Sequence, residues 1–364
     1  MSGALPFDFH IPTRIVFRIG AINELVRLDE VRGRRCMLFT YAGFARSDIV
    51  ETLRNAASEI LVVDEFEENP SDELARRLVG RAREFRAETM VAIGGGSSID
   101  LAKAVAWFDA NPTFASGQTA PPNPASISVI AVPTTAGTGS EVSPFTVLTD
   151  SATHEKWFVK HTSIVPRVAL LDPELTLTVP RRVTAHTGID ALSHAVEGYL
   201  TTLAGGFLEP LALDACRRVR IDLPRVFETP DDVEARASLL LASLEGGILL
   251  ATCGTVVVHA LGYQLTKAFG YRHGEVNALM LGAFVERLAQ RGSDRAHLIL
   301  DVFAGDLTGF VRSCGIEPDR SFESVASSDL ASWIDAGWNA YGRRNAVVPL
   351  DRDDIRTILH SAFR

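Results

Sequence analysis

The sequence predicts an α/β N-terminal domain built on a parallel sheet, followed by an all-helical C-terminal domain. Up to about residue 178, short β-rich runs alternate with amphipathic stretches, the pattern of βαβ units. From Leu175 onward strand signals vanish, and Ala, Leu, Val and Arg recur at three- and four-residue spacing. The chain has 364 residues, 46% of them hydrophobic, enough to fill substantial cores. Composition changes near Leu177-Thr178-Val179-Pro180, which sets the expected domains at 1–178 and 179–364, with a cleft between them as the default ligand site.

Expected strands are 36–40, 60–63, 90–93, 127–132 and 168–171, each a short apolar or β-branched run. Between the second and third, Ser71-Asp72-Glu73-Leu74 supplies a capping serine and first-turn acids, and Leu78, Ala82 and Phe85 continue an apolar stripe, so a helix starts there. The 111–124 stretch, rich in Pro, Gly, Ser, Thr and Asn, reads as a surface loop. In the helical half, breaks are expected at Pro210, Pro224, Pro230 and Pro318. No internal repeat is visible.

Composition also excludes function classes. With 36 basic against 45 acidic residues the net charge is −9, and no basic run stands out, so nucleic acid and anionic membrane surfaces are poor partners. The apolar runs at 127–132 and 248–251 fall short of the roughly 20 residues of a spanning helix, so no membrane segment is expected. Asp8, Pro12, Arg14, Arg18 and Glu24 interrupt the first thirty residues, unlike a signal peptide, and the expected location is the cytoplasm. Cys36, Cys216, Cys253 and Cys314 are far apart and form no C-x-x-C pair, so they read as buried thiols. Only four of the 36 basic residues are lysines, Lys103, Lys156, Lys160 and Lys267. Base bias accounts for the total, but each surviving lysine marks a place where a compact ammonium is not interchangeable with a planar guanidinium.

Two loops carry chemistry in the first half. The 90–93 strand runs into Gly94-Gly95-Gly96-Ser97-Ser98-Ile99-Asp100-Leu101-Ala102-Lys103, glycines at a strand-to-helix turn, where backbone amides and the helix dipole can meet a phosphate. A bare G-G-G-S is as readily a tight turn, and the pattern is not the dinucleotide G-x-G-x-x-G. The next strand ends in Pro133-Thr134-Thr135-Ala136-Gly137-Thr138-Gly139-Ser140-Glu141-Val142, a second loop of small and hydroxyl residues. Two such loops at the carboxyl ends of successive strands are hard to dismiss as turns.

In the helical half, Asp190 and His194 lie four apart, on one helix face. His259 and His273 follow, fourteen residues apart. One aspartate and three histidines suit a divalent first-row metal, iron(II) or zinc. Taken singly, an aspartate and histidine at this spacing are more often a helix-surface pair, and a lone histidine is more often structural.

Together, the glycine loop, the P-T-T-A-G-T-G-S-E-V loop, G-I-D-A-L-S-H-A-V-E and H-A-L-G-Y-Q-L-T-K-A-F-G-Y-R-H-G resemble the iron-dependent (group III) alcohol dehydrogenases, in that family's order. The likeness runs from Pro12-Thr13-Arg14-Ile15-Val16-Phe17 to the final helix after Pro349. The resemblance implies a Rossmann-like nucleotide site in the α/β domain, a helical metal-binding domain, and the dehydroquinate synthase-like, iron-type alcohol dehydrogenase architecture. It implies metal ligands Asp190, His194, His259 and His273. It places Gly94, Gly95, Gly96 and Ser97 at the pyrophosphate of NAD(P)H, Asp100 close by, and Thr134, Thr135 and Thr138 on the path to the nicotinamide. Asn69-Pro70-Ser71 matches the family's N-P-[ST] segment. The implied reaction interconverts a small aldehyde and a primary alcohol, with a homodimer or larger homo-oligomer as the expected assembly.

Three departures from the family pattern matter. Tyr263 stands where many members carry a proton-relay histidine, and a tyrosine is a weak base near neutral pH. No aspartate follows the 36–40 strand, where Thr40-Tyr41-Ala42-Gly43 leaves room for a 2′-phosphate. Arg18 replaces an early glycine. The Tyr-x-Leu-Thr variant, with Lys267 and Arg272 nearby, is similar to the branch that includes phosphonoacetaldehyde reductases, so Tyr263 and Lys267 are the candidate catalytic residues and an anionic aldehyde a candidate substrate. The alternatives are a dehydroquinate synthase-like lyase using NAD and a metal, and a non-catalytic binding protein on the same fold.

Overall fold

The computed structural model describes residues 9–118, 123–317 and 327–361. Eight strands and twelve α-helices are seen among them: β1 (Arg14–Phe17), β2 (Arg35–Thr40), α1 (Asp48–Ala56), β3 (Glu59–Val63), α2 (Asp72–Phe85), β4 (Thr89–Gly94), α3 (Gly96–Ala110), β5 (Ser128–Pro133), β6 (Phe145–Thr149), β7 (Lys156–Lys160), β8 (Val168–Leu171), then α4 (Arg181–Tyr199), α5 (Leu208–Glu228), α6 (Val233–Cys253), α7 (Val258–Phe269), α8 (His273–Gln290), α9 (Asp294–Val302), α10 (Leu307–Ser313), α11 (Ser327–Asn339) and α12 (Arg352–Ser361). The N-terminal half is a parallel sheet with helices and the C-terminal half is helical. Among the described residues two units cluster separately: one lies within Ile11–Thr135 and Ser140–Thr178, the other comprises Phe9–His10, Ala136–Gly139 and the residues from Val179 onward. The middle of the threonine loop thus groups with the helical unit, which no composition boundary reveals.

Six strands form one sheet in the order β1-β8-β5-β4-β2-β3, all pairs parallel. The inner strands are near-continuous apolar runs because both sheet faces are covered. Met37, Phe39, Met90, Ala92, Val129 and Ala131 pack on one side with α2 and α3. Their alternates Leu38, Val91, Ile93, Ile130 and Val132 pack on the other with Val50 and Leu53 of α1. β2 has β3 on one side and β4 on the other, so successive connections leave in opposite directions. The carboxyl ends at such a reversal are where open α/β sheets take ligands.

The α2 start behaves as its sequence predicts: the Ser71 hydroxyl accepts from the Leu74 N–H at 3.2 Å. Three strands were not legible as apolar runs. β1 is a four-residue edge strand, and β6 and β7 form an antiparallel hairpin whose alternating burial gives period two rather than a continuous run. Of the expected proline breaks, two are not breaks. Pro210 is the third residue of α5, where no intrahelical acceptor awaits its amide, and Pro224 sits inside the same continuous helix. Pro230 does separate α5 from α6; Pro318 lies outside the described residues. By length and composition α6 could cross a membrane, although Glu234, Arg236 and Glu245 interrupt it. Its Leu239, Ala242 and Leu249 are instead buried in the core of the helical unit, with Leu192 and Val196 of α4 and Ala215 and Val219 of α5.

α12 closes the helical unit through one buried ion cluster. The fully buried Asp354 carboxylate accepts from Arg287 Nε on α8 at 2.6 Å and faces Arg291, which caps the C-terminus of that helix, at 3.3 Å, while also accepting from the Asp351 N–H at 2.8 Å. Asp354→Ala removes the carboxylate shared by Arg287, Arg291 and the Asp351 N–H, while both partly exposed guanidinium groups keep other partners, so the helical unit should lose about 1–3 kcal/mol of stability, measured as a lower urea midpoint. An unchanged midpoint would show that α12 is held by Ile355, Ile358 and Leu359 alone.

Candidate metal and nucleotide sites

α4 is buried along nearly all its length, although Asp190, Ser193, His194 and Glu197 lie on it. Buried charge demands partners, and here they converge from α7 and α8. One ligand atom each from Asp190, His259 and His273 lie within 4.8 Å of one another. His259 Nε2 is 3.8 Å from Asp190 Oδ1 and has no hydrogen-bond partner among the described residues. Gly274 permits the approach of α8 to α4, since a Cβ there would fall 2.3 Å from the His186 carbonyl oxygen.

Glu197 organises this group, and the sequence reading did not single it out. Its fully buried carboxylate accepts from the backbone N–H groups of Val256 (2.7 Å), Val258 (2.9 Å) and His259 (3.3 Å), and from His259 Nδ1 through a short bond. Val257 gives α7 no side-chain cap, so Glu197 serves as the cap from another helix. A carboxylate only accepts, which puts the Nδ1 proton of His259 toward Glu197 and turns Nε2 toward Asp190. Burial works against the imidazolium of His259, but Glu197 and Asp190 outweigh it and raise its pKa. Burial likewise opposes the Asp190 carboxylate, yet the three histidines hold its pKa below the ordinary value. The available signal was spacing: Asp190, His194 and Glu197 follow an i, i+4, i+7 pattern on one face.

His194 stacks on His259 with ring centroids 4.6 Å apart, but lies outside the three-residue group; burial pushes its pKa down to about 4. The buried Asn277, one turn after His273, brings Nδ2 3.4 Å from Asp190 Oδ1 and 3.1 Å from His273 Nε2. Tyr263 lies one turn after His259, its ring stacked on His273 at 5.0 Å between centroids and 13° between planes. Lys267 is exposed near the end of α7, eight residues and so roughly 12 Å along the helix from His259. Arg272 is exposed at the start of α8. A carboxylate and two imidazoles, one of them buried and oriented by a second carboxylate and the other half-buried against Asn277, fit a first-row divalent cation.

In the α/β unit the glycine turn follows β4 directly. Gly94 ends the strand, its carbonyl accepting from the Thr134 N–H at 3.0 Å, and Gly95 precedes α3. A Cβ on Gly94 would meet Ser98 Oγ at 2.1 Å, and one on Gly95 would lie 3.2 Å from Thr135 Oγ1. Gly96 and Ser97 open α3, where first-turn N–H groups lack intrahelical acceptors and suit a phosphate. Asn69, held at φ 59°, donates its N–H to Ser97 Oγ at 3.1 Å and accepts from Thr149 Oγ1 at 3.1 Å. Tyr41 follows β2 with 44% of its surface exposed, and burial of the remainder raises its phenol pKa. Thr134 is buried and Thr135 half-buried in this unit, while Thr138 belongs to the segment that clusters with the helical unit. Asp100 turns its carboxylate to Ser140 Oγ and to the Val147 N–H at 3.0 Å. Lys156, another residue the motif reading passed over, donates to Thr149 Oγ1 at 2.9 Å; burial lowers its pKa to about 8 against the pull of Asp100.

Comparison with known proteins agrees with these features. Residues 12–173 match the family described as iron-containing alcohol dehydrogenase, and 184–363 match the C-terminal region of the Fe-containing alcohol dehydrogenase family. The NAD-dependent methanol dehydrogenase of Bacillus methanolicus is 31% identical over 98% of this chain and 93% of its own length. An iron-containing alcohol dehydrogenase structure from Thermotoga maritima superposes with a TM-score of 0.88 at 30% identity, covering 98% of this chain and 99% of that one. A sulfoacetaldehyde reductase from Bifidobacterium kashiwanohense, solved with NAD+, gives 0.87 at 27% identity over 98% of each chain. The chain belongs to the iron-containing alcohol dehydrogenase family and is an oxidoreductase.

Proposed function

We propose that this protein interconverts a small aldehyde and a primary alcohol with NAD(P)(H), its divalent metal held by Asp190, His259 and His273 with His194 as a fourth ligand. The observation that carries the reading is the Asp190–His259–His273 group, with Asp190 and His259 buried and His259 oriented by Glu197. When bound, the cation supplies Lewis-acid polarisation of a carbonyl and the dihydronicotinamide supplies hydride. The chain's part is to arrange these. Gly94, Gly95, Gly96 and Ser97 receive the pyrophosphate, with Asn69 fixing the Ser97 hydroxyl and Thr134, Thr135 and Thr138 lining the way to the nicotinamide. Glu197 keeps the Nδ1 proton of His259 in place and leaves Nε2 for the metal. Tyr263 Oη, one turn from His259 and stacked on His273, is the hydroxyl positioned to pass a proton to the developing alcohol oxygen.

His259→Ala should remove bound metal and lower turnover by about a hundredfold or more with the fold retained, and Glu197→Gln should weaken metal binding by roughly 10- to 100-fold. Metal content by mass spectrometry, beside circular dichroism, decides it; full metal and full activity in His259→Ala would remove that residue from the ligand set.

NADPH should be accepted at least as well as NADH, because Tyr41 rather than a carboxylate follows β2. Tyr41→Asp should shift preference toward NADH through repulsion of a 2′-phosphate. A parent enzyme strongly selective for NADH would sink this placement.

The similarity to a sulfoacetaldehyde reductase favours a second, finer reading, an aldehyde bearing an anionic head group such as phosphonoacetaldehyde. Lys267 and Arg272 are then the cations that meet it. A charge-assisted bond of about 1.5–3 kcal/mol gives roughly a tenfold to hundredfold preference in kcat/KM over a neutral aldehyde of similar size. Lys267→Met and Arg272→Met should erase that preference and spare the neutral substrate. Equal rates on neutral and anionic aldehydes in the parent would leave a general short-chain aldehyde reductase.

A further inference from the structure

α6 carries two consecutive glycines in its interior, Gly246 and Gly247, where each costs about 1 kcal/mol relative to alanine. Both admit a close neighbour. A Cβ at Gly246 would fall 2.8 Å from the Ala191 carbonyl oxygen and 3.3 Å from His194 Cβ, so α6 lies directly against the part of α4 that carries the fourth candidate ligand. Gly247 admits Gly139 of the threonine loop: a Cβ on Gly139 would lie 2.2 Å from Gly247 Cα and 3.3 Å from the Ser243 carbonyl oxygen, and its φ of 60° independently calls for glycine. Gly137 is seated as tightly on α4, where a Cβ would fall 2.6 Å from Thr187 Cβ and 2.9 Å from its carbonyl oxygen, and Ala136 packs on the core of the helical unit. Residues 136–139 are thus a tongue fitted against α4 and α6.

The tongue also reaches His194 itself. Burial lowers the pKa of that imidazole, and Asp190 and a hydrogen bond to the Gly137 backbone work against the fall. Both stems of the tongue belong to the α/β unit. The Thr134 N–H donates to the Gly94 carbonyl at 3.0 Å, and Thr135 Oγ1 would lie 3.2 Å from a Cβ on Gly95, so the entering stem is built onto the glycine turn. One residue, Ala136, separates Thr135 at that turn from Gly137 at His194. Contacts this close leave no continuous range of positions: a segment with no room for a Cβ is either seated or displaced.

We propose that residues 136–139 position His194 and couple the two sites: the dinucleotide, through Thr135, and the metal, through His194, each favour the seated tongue, so binding of either tightens binding of the other. This rests on the reading of the glycine turn as the dinucleotide site and of His194 as a ligand.

The test uses the full chain and two probes, zinc and ADP-ribose; the latter carries the pyrophosphate but no nicotinamide to meet the metal. With ADP-ribose saturating, the zinc Kd from chelator competition should fall by about tenfold, and with zinc bound the ADP-ribose Kd from calorimetry should fall by the same factor, as linkage requires. Each probe alone should slow hydrogen exchange of 136–139. Gly139→Ala should displace the tongue and cut the coupling to less than about twofold while each probe still binds singly, whereas simple attraction between a diphosphate and a cation would survive that substitution. Should Gly139→Ala not fold, Gly137→Ala removes the seat on α4 and should show the same loss; should neither fold, exchange of 136–139 in the parent decides. Coupling below about twofold in the parent, parent-like coupling in the folded glycine variant, or tongue exchange that neither probe slows overturns the proposal. A parent that binds no zinc or no ADP-ribose at all overturns the assignment of the sites, and the proposal with it.

Discussion

The helical unit depends on one carboxylate. Glu197 lies fully buried on a helix buried along nearly all its length, a position a charge occupies only when its lone pairs are matched. It finds four donors at the start of α7, three backbone amides and the His259 imidazole. The same contacts perform two tasks. They cap a helix that has no cap of its own, and they turn His259 so that Nε2 meets Asp190. Site and fold are therefore not separable here: a change that frees Glu197 frays α7 and lets the His259 ring turn together. The site groups of α4, α7 and α8 also explain each other, since Asp190 draws its stabilisation from the histidines that surround it.

Much of this was legible in the sequence because the informative patterns are local. The glycine turn, the Ser71 cap and the Asp190/His194 spacing are statements about neighbours within one or two turns. The inner strands declared themselves as apolar runs because a sheet covered on both faces admits little else. What escaped was what depends on partners far along the chain. Glu197 acts on residues about sixty positions away, and nothing in H-A-V-E says whether its carboxylate faces solvent. β6 and β7 are half-buried, so their period of two was lost to a search for continuous apolar runs. Pro224 is tolerated within α5, where a rule based on intrinsic propensity expects a break.

Asp100 shows how a motif residue can be placed correctly in its segment and still do other work. Resemblance sets it near the pyrophosphate, yet its side chain is engaged by Ser140 and Val147 rather than turned to the glycine turn. A helix N-terminus that is to receive an anion is better served by a carboxylate neutralised nearby than by one facing the same ligand. Lys103 and Lys156 both contribute to that neutralisation.

The lysine count gains its meaning from this arrangement. A compositional bias that turns surface lysines into arginines acts freely where either cation is solvated, and stops where geometry selects. Lys103 is enclosed by oxygens, Lys156 is half-buried on Thr149, and Lys160 lies over the Phe145 ring at 5.2 Å. All three gather around the same hairpin and the loop that precedes it, so these three ammonium groups mark one structural neighbourhood rather than three independent accidents. Lys267, distant and exposed, is then the exception.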